Sequence, residues 1–244
     1  MTQDTTEALT SHYDKMEDGD VVDRSRPSVR PKDAATLILV RRDGPQPRIL
    51  MGKRSNRHDF MPEKYVFPGG RVDPTDARAP AITELGKHVE HALTINARRK
   101  PRAFGLTAIR ETFEETGLII GQKGDASGGP QNWKPFIAEG ALPCLQHLTL
   151  IGRAVTPPYR PKRFDARFFM AEAEDTLIDE RPANTSPELV DIRWVDLEEA
   201  EELDLPSVTR LMVKEVRQRL EAPKKAIRPA YLRYLAGGHK FERL

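Results

Sequence analysis

The stretch AIRETFEETGLII, residues 108–120, constrains this chain more than any other. Glu111, Glu114 and Glu115 fall within one and a half helical turns, followed at once by Gly117 and an apolar run. Like charges three or four residues apart on a helix repel by a few tenths of a kcal/mol per pair. Arg110 can pair with Glu114 one turn on, but neither Thr107 nor Ile119 offers Glu111 and Glu115 a cation. Leu106, Ile109 and Phe113 form one apolar stripe. The helix, starting near Arg102 or Ala103 just after Pro101, is therefore expected to bury that stripe and turn its acidic face away from the core. Gly117 is placed as a left-handed helix stop, and Leu118–Ile120 are expected to resume as a strand.

An acidic helix face is ordinarily only a solvated one. A second stretch, FPGGRV at 67–72, argues for more. Paired glycines after a short strand let the backbone turn where side chains could not, and can leave a carbonyl pointing outward. Carboxylates with a backbone carbonyl are the hard oxygen ligands that Mg²⁺ or Mn²⁺ takes. A dication would compensate the crowded charges.

The other elements follow from periodicity and turn residues. Residues 34–40, 48–55, 145–155, 166–173 and 188–196 read as strands, the first two as a hairpin. KYVF, 64–67, is a short strand, FIAEGALPC a short helix, and 197–203 and 206–220 helices. Strands and helices interleave, which predicts an α/β class with a mixed sheet. Residues 1–33 read as a mobile polar tail, 34–222 as the domain and 223–244 as an extension expected to be helical. In the segment 75–101, His88 and His91 stand on a solvated helical face. The 244 residues carry a net charge of +2, too small for a general nucleic-acid binder. The lone Cys144 permits no intrachain disulfide and reads as a small buried hydrophobe. Absence of a signal-like start and of an apolar span points to a cytoplasmic protein without a membrane partner.

Gly70 together with RETFEETGL resembles the Nudix box, G-x5-E-x7-R-E-U-x-E-E-x-G-U with U a bulky aliphatic. Arg110, Glu111, Glu114, Glu115, Gly117 and Leu118 match its closing part at the required spacing. There are departures. Between Gly70 and Arg110 lie 39 residues where the pattern has 13, an insertion of 26. The middle glutamate falls on Asp76 counted from Gly70 and on Arg102 counted back from Arg110, so neither is given a ligand role. Thr112 replaces an aliphatic. The long insert, with FMP and YVFPGG before it and TPP and RFDARFF after it, resembles the branch of Nudix hydrolases that includes the mammalian peroxisomal coenzyme A diphosphatases.

The resemblance implies a Nudix-type α/β/α sandwich with an inserted helical segment, and hydrolysis of a diphosphate linking a nucleoside to another moiety. Coenzyme A or acyl-coenzyme A is the first-choice substrate. The alternatives are ADP-ribose, dinucleotides or capped RNA ends, or a non-catalytic nucleotide sensor on the same fold. It implies Mg²⁺ or Mn²⁺ on Gly70, Glu111, Glu114 and Glu115. Glu111 or Glu115 would be the base, without preference, and Arg110 would hold Glu114. Activity should need metal and rise toward alkaline pH. Glu188, entering a late strand, is a further metal candidate. Arg54 and Arg163 are candidates for phosphate and Phe164 for stacking on a base. Homodimerisation is left open. The insert is expected over the substrate side, because both its ends are tied to the box.

Overall fold

The computed structural model describes residues 27–57, 61–125, 128–235 and 238–244. The expected tail lies mostly outside these residues. Strand β1, Lys32–Arg41, begins two residues before the expected domain start. Its Ala35, Leu37 and Leu39 enter one buried apolar cluster, while Ile38 and Val40 enter a second. A strand covered on both faces has no polar side, which is why AATLILV reads as a continuous apolar run. At full burial each such Leu, Ile or Val stabilises the fold by about 1.5–3 kcal/mol.

On one edge β1 runs parallel to β8, Phe164–Glu172, from Lys32↔Phe164 to Val40↔Glu172. Strand β8 is antiparallel to β7, Thr149–Val155. The other edge of β1 is divided. Strand β2, Arg48–Arg54, meets it only at Val40 and Arg41, whereas β4, Gly69–Arg71, pairs with Ala34–Thr36. Strand β2 also carries β3, Tyr65–Val66, and β9, Leu189–Asp196. The result is a mixed sheet, as expected. The divided edge sets Gly69 and Gly70 beside the middle of the molecule.

Helices α1, Lys87–Thr94, and α2, Pro101–Thr116, contribute to the first cluster, with Val89, Phe104, Leu106 and Ile109. After the short helices α3, Lys134–Ala138, and α4, Ala173–Thr176, helices α5, Leu197–Glu202, and α6, Ser207–Glu221, cover the second. Sheet and helices thus form the three layers of an α/β/α sandwich. Among the described residues no helix is long and apolar enough to cross a membrane.

Four expectations need correction. Helix α2 is not two-faced: buried between sheet, α1 and α3, it hides Thr107, Arg110, Thr112 and Glu115 as well as its apolar residues. The Thr112 hydroxyl is satisfied by donating to the Ala108 carbonyl, so the departure from the box is absorbed. Leu118–Ile120 form no ladder beyond an Ile120–Leu177 bridge; they are core residues, and the strand β5 comes after them at Gly121–Lys123, paired with β6, Ala141–Pro143. The C-terminal extension is not helical. Pro223 and Pro229 stop α6 from continuing, and β10, Ala230–Leu235, joins β7 in parallel and β11, Gly238–Arg243, antiparallel. Finally, the insert packs α1 against α2 and β7, and no residue of 75–101 lines the cavities described below. Val89 and Leu93 need a hydrophobic surface, and the one they find is the outer side of α2. His88, His91 and Cys144 are as expected, the histidines exposed and the cysteine buried.

Candidate active site

Strand β4 lies between β1 and helix α2, and β1 comes so close that only glycine fits at Gly69. A Cβ on Gly69, whose φ is 158°, would come within 2.6 Å of the Ala35 carbonyl oxygen and of Thr36. A Cβ on Gly70 would overlap the Glu111 carboxylate. The close approach lets the Gly69 amide donate to Glu115 Oε2 at 2.9 Å. Helix α2 then ends at Gly117 in the left-handed conformation, φ 73°, as its sequence predicts.

Arg110 is the hub on the inner side of the helix. Its Nε and Nη2 donate to Asp76 at 2.9 and 3.1 Å, and Nη2 also to the Arg71 carbonyl. Its Nη1 lies 2.8 Å from both Glu111 and Glu114. Glu111 therefore does have a cation beside it, from its sequence neighbour rather than from one turn away. Burial works against the charge of Arg110, but Asp76, Glu111 and Glu114 outweigh it and hold the guanidinium pKa above its ordinary value.

Asp76, fully buried, accepts from more than Arg110. The Thr107 hydroxyl, the Trp133 indole N–H, the Asn132 amide and the Asp73 backbone N–H all reach it, between 2.6 and 3.2 Å. Counting six residues on from Gly70 is thus the count that finds the residue facing Arg110. The insertion follows Asp76 rather than preceding it. Trp133 and Asn132 carry no sequence signal, since a partner 57 residues away is a tertiary fact.

Glu111 and Glu115 turn toward a cavity of about 480 Å³, whose wall includes Gly70, Arg54, Arg163, Phe164 and Glu188. Desolvation raises the Glu111 pKa to about 7, against the pull of Arg110. Burial raises that of Glu115 well above the usual carboxylate range, with the Gly69 N–H and Arg54 opposing. Glu114 is held on Arg110, half out of the protein; burial raises its pKa too. Glu188 is exposed at the start of β9, where its carbonyl accepts from the Ser55 N–H. Arg54, at the end of β2, has its pKa lowered by burial, with Glu115 and Glu188 acting the other way. Arg163 donates to Thr156, Ser28 and Val29, which ties the segment before β1 to the cavity wall.

Do these residues suit a divalent cation? The charges do. Asp76, Glu111, Glu114, Glu115 and the exposed Glu188 stand against three guanidiniums, Arg110, Arg54 and Arg163, so the carboxylates outnumber the cations. The donors are hard oxygens. Among the described residues, however, no three His, Cys, Asp or Glu side chains converge as a ready-made ligand set, because Arg110 draws Glu111 and Glu114 to itself.

The three-layer sandwich is the fold that the resemblance implies, and known proteins similar to the chain in structure and sequence are Nudix hydrolases. A crystal structure of a NUDIX hydrolase from Alicyclobacillus acidocaldarius superposes with a TM-score of 0.56 at 27% identity, covering 76% of this chain and 90% of that one. The Caenorhabditis elegans protein called nudix hydrolase 7 is 28% identical over 182 residues, 69% of this chain and 52% of its own length. The acyl-coenzyme A diphosphatase NUDT19 of Gallus gallus is 30% identical over 150 residues, 47% of this chain and 39% of its own. No protein-family model matches the chain. The chain is similar in sequence to these Nudix hydrolases and has their fold. It spans about half the length, or less, of the curated relatives it matches.

Proposed function

We propose that the chain is a metal-dependent diphosphatase that adds water across the P–O–P bridge of a nucleoside diphosphate linked to a second moiety, with coenzyme A or an acyl-coenzyme A as first-choice substrate. The observation carrying this reading is a pair of carboxylates, the buried Glu115 and the half-buried Glu111, set against the Gly69–Gly70 backbone in a cavity that Arg54 and Arg163 also line. Its support on the substrate side is the similarity to an acyl-coenzyme A diphosphatase.

Mg²⁺ or Mn²⁺, when bound, would neutralise phosphate charge and make a water acidic enough to attack phosphorus. Glu111 and Glu115 would hold the ion with the Gly70 carbonyl, joined by Glu114 and Glu188. The Gly69 N–H fixes the orientation of Glu115. One of Glu111 and Glu115 takes the proton of the attacking water at a carboxylate oxygen. Their burial favours this, because it raises the proton affinity of both. Arg54 and Arg163 would bind phosphate oxygens, and Arg110 acts through Glu111 and Glu114 rather than on substrate.

Product analysis tests the proposal on coenzyme A, ADP-ribose, a diadenosine polyphosphate and capped RNA, each without metal, with Mg²⁺ and with Mn²⁺. Formation of 3′-phosphoadenosine phosphate and 4′-phosphopantetheine from coenzyme A is the expected result. Cleavage of only another panel member would transfer the site to that substrate. No diphosphate cleavage with either metal would overturn the reading and favour a nucleotide sensor.

A further inference from the structure

Beside the acidic cavity lies a second one of about 200 Å³, and the two share Arg54, Val66, Gly69, Gly70 and Phe164 in their walls. Ala34, Thr36 and Phe67 beside the box complete one part of its wall, and the rest comes from segments far from the box in sequence. Ala154 on β7 and Phe168 on β8 form its floor, Val208 in the first turn of α6 one side, and Leu232 of β10 another. Ala, Val, Met, Phe, Pro and Leu side chains predominate in its wall; its polar lining residues are Arg54, Arg160, His239, Ser207 and three threonines, and no Asp, Glu, Asn or Gln is among those described. We infer that this cavity receives the terminal alkyl or acyl chain of a substrate whose diphosphate lies against Glu111 and Glu115, so that the C-terminal hairpin is part of the binding site and sets chain-length preference. The inference rests on the diphosphatase reading for the location of the phosphates.

The composition of the wall chooses a chain over a nucleobase. A base buried here would bring ring nitrogens and an exocyclic amine or carbonyl out of water, and each needs a partner or costs free energy. The side-chain amides and carboxylates that pair such edges two bonds at a time are missing from the wall. A methylene chain needs no partners and gains about 0.8 kcal/mol per buried CH₂. The walls are anchored rather than loose: Leu232 pairs with Ala154 across β10 and β7, and Phe168 and Leu232 belong to the second core cluster.

The test separates the cavity from the chemistry. Octanoyl-pantetheine, which has the chain but no diphosphate, is titrated by calorimetry into the full chain, the V208W variant, which fills the cavity, and the L232A variant, which enlarges it. Val208 is half-buried on the first turn of α6, so a larger side chain there leaves the helix intact. Expected are binding to the parent chain, at least tenfold weaker binding to V208W, and a preference in L232A for a chain two to four carbons longer (decanoyl or dodecanoyl). No binding to the parent chain, or affinities that V208W and L232A leave unchanged, would overturn the inference. If L232A does not fold, V208W decides alone. In parallel, kcat/KM is measured with Mn²⁺ for octanoyl-coenzyme A and ADP-ribose. A V208W loss confined to octanoyl-coenzyme A supports the inference, and equal loss on both opposes it. Chain binding without hydrolysis of either would sink the proposed function and leave the cavity assignment standing.

Discussion

Asp76 and Glu115 are both buried carboxylates, one on each side of the same helix, and their surroundings could hardly differ more. Asp76 is fully buried, and six donors converge on it, including two from Arg110. A carboxylate has about four lone-pair sites, so Asp76 is oversubscribed. Glu115, 8% exposed, has one hydrogen-bond donor among the described residues, the Gly69 N–H. Burying a charge is costly unless it is paired, and the raised pKa of Glu115 records that cost. The lesson is a criterion that needs no motif. A buried acid whose lone pairs are filled belongs to the architecture, and one left short of partners is kept for something that arrives from outside.

The largest expected effect falls on the filled side. In D76A, Trp133, Asn132 and Asp73 lose an acceptor, Thr107 is left with the Ala103 carbonyl, and Arg110 loses a partner. Removing one member of a buried ionic network typically costs about 3–5 kcal/mol. Urea denaturation at neutral pH should show a loss of that size, and one below about 1 kcal/mol would mean that Asp76 is no anchor. On the short side the signature inverts. E115Q keeps an oxygen for the Gly69 N–H and removes a poorly compensated charge. Its metal-free melting temperature should hold or rise, while turnover of a cleaved diphosphate falls by on the order of 10²–10³, about 3–4 kcal/mol of barrier. A variant of wild-type activity would detach Glu115 from the chemistry.

Metal sharpens the contrast next. If a dication is what Glu111 and Glu115 lack, Mn²⁺ should stabilise the folded chain by about 2.7 kcal/mol at a hundredfold excess over its dissociation constant. Thermal melts of the parent chain with and without MnCl₂ would read this. The double variant E111Q/E115Q should gain nothing, and an equal gain there would place the ion elsewhere.

How much of this could be read from residues alone follows the same divide between local and tertiary. Strand β1, helix α2 and its stop at Gly117 were legible because apolar period and a left-handed glycine are local signals. So was the acidic trio, by repulsion within one helix. The partners were not. Asp76 was reachable by counting from Gly70, but an equal count from Arg110 gave Arg102, and nothing in the chain says on which side of the insertion the spacing is kept. Arg102 instead pairs with Glu84 within the inserted segment itself. The insert was expected over the substrate because its ends touch the box, yet a helix goes where its apolar side is covered, and Val89 and Leu93 are covered by the outer side of α2. The hairpin at 230–243 was missed for the opposite reason. Its strands are six residues each, too short for period alone to separate from a helix.

The smallest effect makes the finest test of oversubscription. Asn132 Nδ2 reaches Asp76 Oδ1 at 3.2 Å, the longest of the six contacts, and that oxygen already accepts from Arg110 at 2.9 Å and from Trp133 at 3.0 Å. A third donor on one oxygen competes with the other two, so its removal lets them tighten. N132A also frees the Thr75 hydroxyl, which has Asp73 as a second acceptor. The expected loss is at the low end for a hydrogen bond, about 0.5 kcal/mol, and a double-mutant cycle with W133F should show the two donors on Oδ1 partly replacing one another. A loss near 2–3 kcal/mol would mean that every donor on Asp76 is needed. The carboxylate would then be satisfied but not saturated, and the distance separating it from Glu115 would shrink to a matter of degree.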